Sequence, residues 1–220
     1  MSIWKTRDES LAYLKQHEPS KLSVLERTFE LIDDVVDAFE SSPSPSDYSR
    51  ACALALLKTK NLAIGAYGLA LDGLAQESGA LLRPLIEYAE LLTYFRLFPE
   101  KASQAMWNTL PKAGERAKAI DSIYQGLRSH LNQNASHSSF SSYSLSHLIE
   151  PATFGLKKTQ SLIPEVLATN IRDLEVQLQV LLREAILSLE SSNPSAFPLL
   201  GGRYDSLRQR MLSVFAIADT

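Results

Sequence analysis

The fold class is decided by PSKLSVLERTFELIDDVVDAFESS, residues 19–42 of the chain. Apolar residues recur in it at intervals of three and four, and so lie along one side of a helix: Leu22, Leu25, Phe29, Ile32, Val36 and Phe39. Acidic residues from Glu26 to Glu40 occupy the other sides. The pattern predicts a surface helix that packs by its apolar stripe against other helices. The SSPSPS that follows ends this helix, because proline cannot continue one.

Two segments further along are apolar on nearly every side. They are residues 47–74 and residues 77–98, and the second reads ESGALLRPLIEYAELLTYFRLF. A helix that is apolar on most sides is a buried one, so we expect these two at the centre of the fold. Pro84 either kinks the second helix or marks its first turn.

The rest of the chain is also helical in pattern. We expect helices over residues 99–110 and 112–131, a long helix of about 28 residues after Pro164, and an amphipathic helix after a linker at residues 193–202. The predicted fold is an all-α, single-domain bundle of seven or eight helices around two buried central ones. Residues 1–192 form the bundle, with residues 1–45 as N-terminal helices packed on it, and residues 193–220 form the linker and the C-terminal helix.

Composition narrows the classes of function. The formal net charge of −3 gives no general attraction to nucleic acid or to anionic lipid. The single cysteine, Cys52, excludes an internal disulfide and fits a reducing compartment, and it lies in an apolar run where a buried thiol is expected. The sequence has neither a signal-peptide pattern nor a charge-free apolar span of membrane length, so we expect a cytoplasmic protein.

Three of the four histidines lie in RSHLNQNASHSSFSSYSLSH, residues 128–147. A metal site needs three or more converging ligands, and neither a zinc-binding spacing nor a carboxylate is present here, so we expect no metal and no cofactor. His137 has serine on both sides and is a candidate general base, which would need an orienting acid from elsewhere in the chain. The favoured interpretation is a polar loop that His137 braces by hydrogen bonds.

Charged residues inside the second apolar segment are the other candidates. Arg83 and Glu87 are four residues apart and can pair on one helix face, with Glu77 upstream. Buried charges must be paired, so a structural network of ion pairs is one interpretation. The other is a polar pocket in the bundle, in which Tyr124, His137 or Arg50 joins them.

A further set of basic residues permits contact with phosphate. A solvated face is favoured, because the set lacks interleaved aromatic residues and a known nucleic-acid-reading motif. The set is Arg116, Lys118, Arg128, Lys157 and Lys158.

Residues 77–87, ESGALLRPLIE, and residues 124–139, YQGLRSHLNQNASHSS, resemble segments of certain bacterial all-helical domains of unknown function. Those domains share an E-S-x-x-x-L-R-x-L-x-E helix and a later segment with tyrosine, leucine, histidine and serine. They are likened to the higher-eukaryote-and-prokaryote nucleotide-binding (HEPN) bundles of toxin–antitoxin and phage-defence systems, some of which are ribonucleases. The resemblance covers residues 50–139, and the matching positions are Glu77, Arg83, Glu87, Tyr124 and His137.

One departure from the HEPN pattern bears on activity. The ribonuclease motif places four to six residues between its arginine and its histidine, whereas eight residues separate Arg128 from His137. We therefore favour a non-enzymatic helical interaction module, a homodimer with a possible protein partner, in a bacterial stress or defence system. The alternative is a divergent HEPN-like ribonuclease or nucleotide-binding protein with Arg128 and His137 as its catalytic residues.

Overall fold

The computed structural model describes residues 4–44, 46–134, 148–150, 153–157 and 159–216 of the chain. The helices in these ranges are α1 (Lys5–His17), α2 (Pro19–Glu40), α3 (Asp47–Leu71), α4 (Ala75–Ala80), α5 (Leu82–Leu97), a 3-10 turn (Pro99–Lys101), α6 (Ala102–Met106), α7 (Ala113–Ala119), α8 (Gln125–Asn134), α9 (Pro164–Ser192) and α10 (Phe197–Val214). The described residues contain no β-strand, only an isolated bridge between Ile149 and Leu156. The predicted all-α bundle is confirmed.

The two long amphipathic helices form as predicted. α2 turns Leu25, Ile32 and Phe39 into the core and leaves its acidic residues on the outer sides. α9 packs against α2, α3 and α5, and its apolar stripe from Leu167 to Ala185 is buried. The centre of the fold is therefore shared by α3, α5 and α9, rather than by α3 and α5 alone.

α3 lies at the centre of the fold, as predicted, but one of its apolar sides is not covered by other helices. Ser46 caps the helix by accepting a hydrogen bond from the backbone N–H of Ser49 at 3.2 Å. Its side chains toward α2, α5 and α9 are buried, but Leu54, Leu57 and Ile64 are 44%, 38% and 49% exposed. The apolar pattern does not distinguish a helix covered on all sides from one covered on most of them.

Two segments that we predicted as continuous helices are each divided into two helices in the structure. Residues 77–98 form α4 and α5 with Pro84 in the first turn of α5, the second of the two placements expected for it. Residues 112–131 form α7 and α8, separated by a turn in which Asp121 has a φ of +49°. The linker before the last helix is shorter than the predicted residues 193–202, because α10 already begins at Phe197.

The C-terminal helix is docked on the bundle. α10 packs against α2 and α9 through its buried residues Leu200, Tyr204, Leu207 and Met211. Arg203 adds an ion pair to Asp34 of α2, with 2.6 Å between Nη2 and Oδ2. The acidic outer side of α2 thus contributes to holding the last helix in place.

Cys52 of α3 is fully buried, as expected. Burial raises the pKa of its thiol to about 12, because the thiolate would lose its hydration. Within the described residues, no helix combines the length and the apolar character needed to cross a lipid bilayer.

Candidate functional site

A buried carboxylate organises the polar residues between α5, α7 and α8. Glu90 of α5 is 2% exposed and accepts hydrogen bonds from Ser122 Oγ at 2.5 Å and from Arg128 Nη1 at 3.1 Å. The Ser122 hydroxyl oxygen accepts a further hydrogen bond from the Tyr124 N–H at 3.1 Å. We call Glu90, Ser122, Tyr124 and Arg128 the Glu90 cluster. It ties the turn after α7 and the start of α8 to the buried face of α5.

The turn between α7 and α8 sets this geometry. The Asp121 N–H bonds to the Lys118 carbonyl at 3.3 Å, and the Ser122 N–H bonds to the Ala117 carbonyl at 2.9 Å. This pair of bonds, with Asp121 in the left-handed region, is the Schellman ending of a helix. It ends α7 and turns the chain, so that the Ser122 hydroxyl meets Glu90.

A second carboxylate lies on the facing helix, α9. The side chain of Glu184 is 8% exposed and accepts from Arg96 Nη2 at 2.8 Å and from Arg183 Nη1 at 3.1 Å. Burial raises the pKa of Tyr124, and the negative charges of Glu184 and Glu90 raise it further. Tyr124 is therefore within electrostatic range of both carboxylates and stays a neutral hydrogen-bonding group at physiological pH.

Arginines outnumber acids around these two carboxylates. Arg116 of α7 donates from Nη1 to the Pro111 carbonyl at 2.5 Å, and its burial lowers its pKa despite the charges of Glu87 and Glu90. The Nε–H groups of Arg96, Arg116 and Arg128 are buried and have no acceptor among the described residues. The surroundings of Glu90 and Glu184 therefore contain more positive than negative side chains, and these arginines link neighbouring helices.

The residues predicted from the sequence are only partly brought together. Arg83 and Glu87 form the expected pair on α5, with 3.1 Å between Nε and Oε1, and both side chains are partly exposed. Glu77 lies on the separate helix α4, where it is exposed. Tyr124 and Arg128 lie in the Glu90 cluster, and His137 lies outside the described residues.

Sequence reasoning missed Glu90, Ser122 and Glu184. The signal for Glu90 was its position in YAELL, residues 88–92, where a charged residue among apolar ones requires a buried partner. Nothing in the sequence identified that partner, because Ser122 and Arg128 are 32 and 38 positions away.

The geometry bears on what chemistry this region supports. The charge of Arg128 is engaged by the carboxylate of Glu90, and 15% of its side chain is exposed, so it does not present a free cation to a substrate. Within the described ranges, no three His, Cys, Asp or Glu side chains are grouped so that they would bind a metal ion. The contacts of the Glu90 cluster join α5 to the turn after α7 and to α8.

A different surface is notable for its apolar exposure. Leu54, Leu57 and Ile64 recur along α3 at helical spacing and form what we call the α3 face. A cleft of about 550 Å³, cleft A, lies on one side between α3, α5 and α6, and a cleft of about 660 Å³, cleft B, lies on the other between α2 and α3. Leu54 lines both clefts and Leu57 lines cleft B, so this part of the α3 face is a ridge between two grooves.

Charged side chains beside the α3 face form no ion pairs with other residues that the structure describes. Lys58 lines cleft A, whereas Glu40, Asp47 and Arg50 line cleft B. All four side chains are exposed, and none forms an ion pair with another residue that the structure describes. Cleft B is lined by two acidic residues and one arginine, so it has an excess of negative charge. The edge of cleft A beside the α3 face carries the positive charge of Lys58.

Comparisons of the chain with protein-family models, with curated proteins and with solved structures gave no match.

Proposed function

We propose that this protein is a non-enzymatic helical interaction module that forms a homodimer through the α3 face. The observation that carries the proposal is the exposure of Leu54, Leu57 and Ile64 on one side of α3, whereas its sides toward α2, α5 and α9 are buried. Large apolar side chains grouped on a surface are typical of protein interfaces.

The clefts beside the ridge favour a second copy as the partner. A two-fold symmetric interface brings the same surface of both copies together, so that each ridge needs a groove in the other copy. Clefts A and B supply such grooves on both sides of Leu54. Helices that pack in this way insert the ridge of one into the groove of the next.

Charge complementarity points to the same arrangement. If two α3 helices run antiparallel with the two-fold axis beside Leu54 and Leu57, Lys58 of one copy lies opposite Ala53 of the other. Ala53 lines cleft B, where Glu40 and Asp47 have no ion-pair partner among the described residues. Each copy then offers a lysine to the acidic cleft of the other, and complementary charges set the register of an interface.

The engagement of Arg128 by Glu90 supports the non-enzymatic function over the ribonuclease alternative. A catalytic arginine must present its guanidinium to the reacting phosphate, and here that group is occupied by a buried carboxylate. The same pairing gives Arg128 a structural reason to be present.

Sedimentation velocity over a range of protein concentrations tests the dimer. We expect the wild type to dimerise, and Leu54→Glu and Leu57→Glu to remain monomeric with unchanged helicity, because a buried unpaired charge opposes association. Leu97→Glu is the matched control, since Leu97 of α5 is 50% exposed and lines neither cleft A nor cleft B. A wild type that stays monomeric, or a control that dissociates like Leu57→Glu, would show that the proposal is wrong.

Charge reversal tests the arrangement within the dimer. Lys58→Glu and Glu40→Lys should each weaken association, because each places like charges opposite one another. The double variant restores the attraction with its sign reversed, and should dimerise more tightly than either single variant. A double variant that is weaker than both would contradict the antiparallel arrangement.

A further inference from the structure

A third groove lies on a different face, between α2 and α10, and has a volume of about 700 Å³. Three arginines line it: Arg27 of α2, and Arg203 and Arg210 of α10. Volumes of roughly 300 to 1,000 Å³ are common among sites that bind small molecules. This α2–α10 groove does not include any residue of the α3 face.

The positive charge of the groove is only partly neutralised. Arg203 is held by Asp34, with 2.6 Å between Nη2 and Oδ2. Arg27 and Arg210 are exposed, and neither pairs with a carboxylate among the described residues. Glu30 is the acid that lines the groove, and it too is exposed and outside ion-pair distance of these arginines. Two guanidinium groups that share a groove repel each other, and an anion bound between them removes that cost.

Leucine and proline side chains supply an apolar part of the groove. Leu31 and Leu207 are buried and form its floor, whereas Leu199 is 68% exposed beside Pro198 at one end. An ion alone would leave Leu199 in water. A ligand with an apolar group next to its anionic group would cover it.

Gly202 keeps the groove open beside the backbone of α10. A Cβ built at this position has no heavy atom within 4 Å, so a ligand can approach the helix closely there. Ser206, one turn later, donates its hydroxyl hydrogen to the Gly202 carbonyl at 2.9 Å. The groove thus has a charged part, an apolar end and unobstructed space between them.

We propose that the α2–α10 groove binds a small amphiphilic oxyanion. Its phosphate or carboxylate lies between Arg27 and Arg210, and its apolar group covers Leu199 and Pro198. Guanidinium groups bind such oxyanions through two parallel charge-assisted hydrogen bonds, which a single lysine does not provide.

Isothermal titration calorimetry of the full chain with four probes tests the proposal. The probes are hexyl phosphate, hexanoate, inorganic phosphate and hexanol. We expect hexyl phosphate or hexanoate to bind about tenfold or more tightly than inorganic phosphate and hexanol, because only they combine both groups. The better of these two amphiphiles identifies the headgroup. Equal binding of hexanol, equal binding of inorganic phosphate, or no binding of either amphiphile would overturn the proposal.

Three variants assign the site. Arg27→Gln and Arg210→Gln should each weaken binding of the amphiphile about tenfold, because each removes a charged hydrogen-bond donor. Gly202→Leu fills the groove without changing charge, improves helix propensity, and should also weaken binding. Arg172→Gln, on an exposed part of α9, is the matched control and should bind as the wild type does. Unchanged binding in both groove arginine variants would overturn the proposal.

Discussion

Glu175 of α9 is a carboxyl group with no access to water. Thr28 Oγ1 and Gln179 Nε2 donate to its Oε1 at 2.6 Å and 2.7 Å, whereas its Oε2 has no partner among the described residues. Burial raises the pKa of Glu175, and the two hydrogen bonds only partly oppose that shift. The folded protein therefore favours the protonated form of this side chain more than the unfolded chain does.

This shift predicts a pH-dependent stability. Because the folded-state pKa lies above the ordinary value of 4.5, the contribution of Glu175 to stability is complete below that pH. It declines as the pH rises toward the folded-state pKa, since the folded state must then either hold the proton or bury the charge. Glu175→Gln should remove the decline and raise the free energy of unfolding at pH 7, because its side chain is neutral at every pH.

Urea denaturation between pH 4 and pH 8 measures this effect. The difference between Glu175→Gln and wild type should shrink as the pH falls to the ordinary carboxyl pKa. Glu190→Gln, an exposed change on the same helix, is the control and should follow the wild-type pH profile. A constant difference at every pH would mean that Glu175 does not titrate as we expect.

The Glu90–Arg128 pair predicts a second effect at the residue scale. Arg128→Met leaves the carboxylate of Glu90 buried without its cation, which should lower the free energy of unfolding by about 3 to 5 kcal/mol. Adding Glu90→Leu removes the unpaired charge and should recover most of that loss. Both changes are read by urea denaturation of the single and double variants.

The matched control is Arg83→Met, which breaks the more exposed pair with Glu87. Its cost should stay below about 1 kcal/mol, because water solvates both charges when they separate. If Arg128→Met cost no more than Arg83→Met, the structural role that we assign to Arg128 would be wrong.

At the scale of elements, the junction of α3 and α4 depends on one glycine. Gly73 has a φ of +76°, and its N–H bonds to the Ala70 carbonyl while the Leu74 N–H bonds to the Leu69 carbonyl. A Cβ at Gly73 would lie 3.2 Å from both Gln160 Cβ and the Ser161 carbonyl oxygen. The junction thus needs glycine for its backbone conformation and for the close approach of the chain before α9.

Gly73→Ala should lower the free energy of unfolding by about 1 to 2 kcal/mol or more, because the left-handed conformation is unfavourable for alanine. Gly79→Ala is the matched control: it lies in α4 with no heavy atom within 4 Å of its Cβ, and should be neutral or stabilising by up to about 1 kcal/mol. Thermal unfolding followed by circular dichroism compares the two. Equal melting temperatures for both variants would count against this description of the junction.

The elements that could be predicted from the sequence are those whose apolar stripe is continuous. α2 and α9 have such stripes, and only their neighbours remained unknown. The split of residues 112–131 was not predictable, because Asp121 adopts a left-handed conformation without the glycine that usually signals one. The early start of α10 was missed because Gly201 and Gly202 suggest a loop, although the helix tolerates both.

The candidate site was predictable only where its contacts are local. Arg83 and Glu87 are one helical turn apart, so their pairing follows from the sequence. The contacts of Glu90 with Ser122 and Arg128 depend on how α5 meets the turn after α7, which no local pattern encodes. The exposure of Leu54, Leu57 and Ile64 likewise depends on which sides of α3 the other helices leave uncovered.

At the scale of the whole molecule, α9 unites the bundle, since it contacts α2, α3, α5 and α10. The N-terminal helix is fastened by polar contacts: Arg7 pairs with Asp72 at the end of α3, and Thr6 Oγ1 donates to the Gln160 carbonyl at 3.0 Å. These contacts link the first helix to the junction at Gly73 and to the chain that leads into α9. The contacts of α9 therefore connect helices from the N-terminal and the C-terminal parts of the described chain.

The proposed dimer predicts a property of the molecule as a whole. If association through the α3 face stabilises the folded state, the melting temperature should rise with protein concentration, since a partner that binds only the folded chain adds to its stability. Differential scanning calorimetry at several concentrations measures the rise. Leu57→Glu should melt at a temperature that is independent of concentration, and Leu97→Glu should behave as the wild type does. A wild type with a concentration-independent melting temperature would contradict the dimer.

The buried Cys52 allows the rate at which the bundle opens to be measured by chemical labelling of its thiol. Its thiol has no surface exposed in the folded chain, and its raised pKa keeps the nucleophilic thiolate scarce, so a thiol-specific reagent reacts only when α3 separates from its neighbours. Because the chain has no other cysteine, every labelling event reports that separation. The labelling rate is followed by mass spectrometry and requires no substitution. Its dependence on denaturant concentration distinguishes local opening of α3 from global unfolding, because global unfolding exposes more surface.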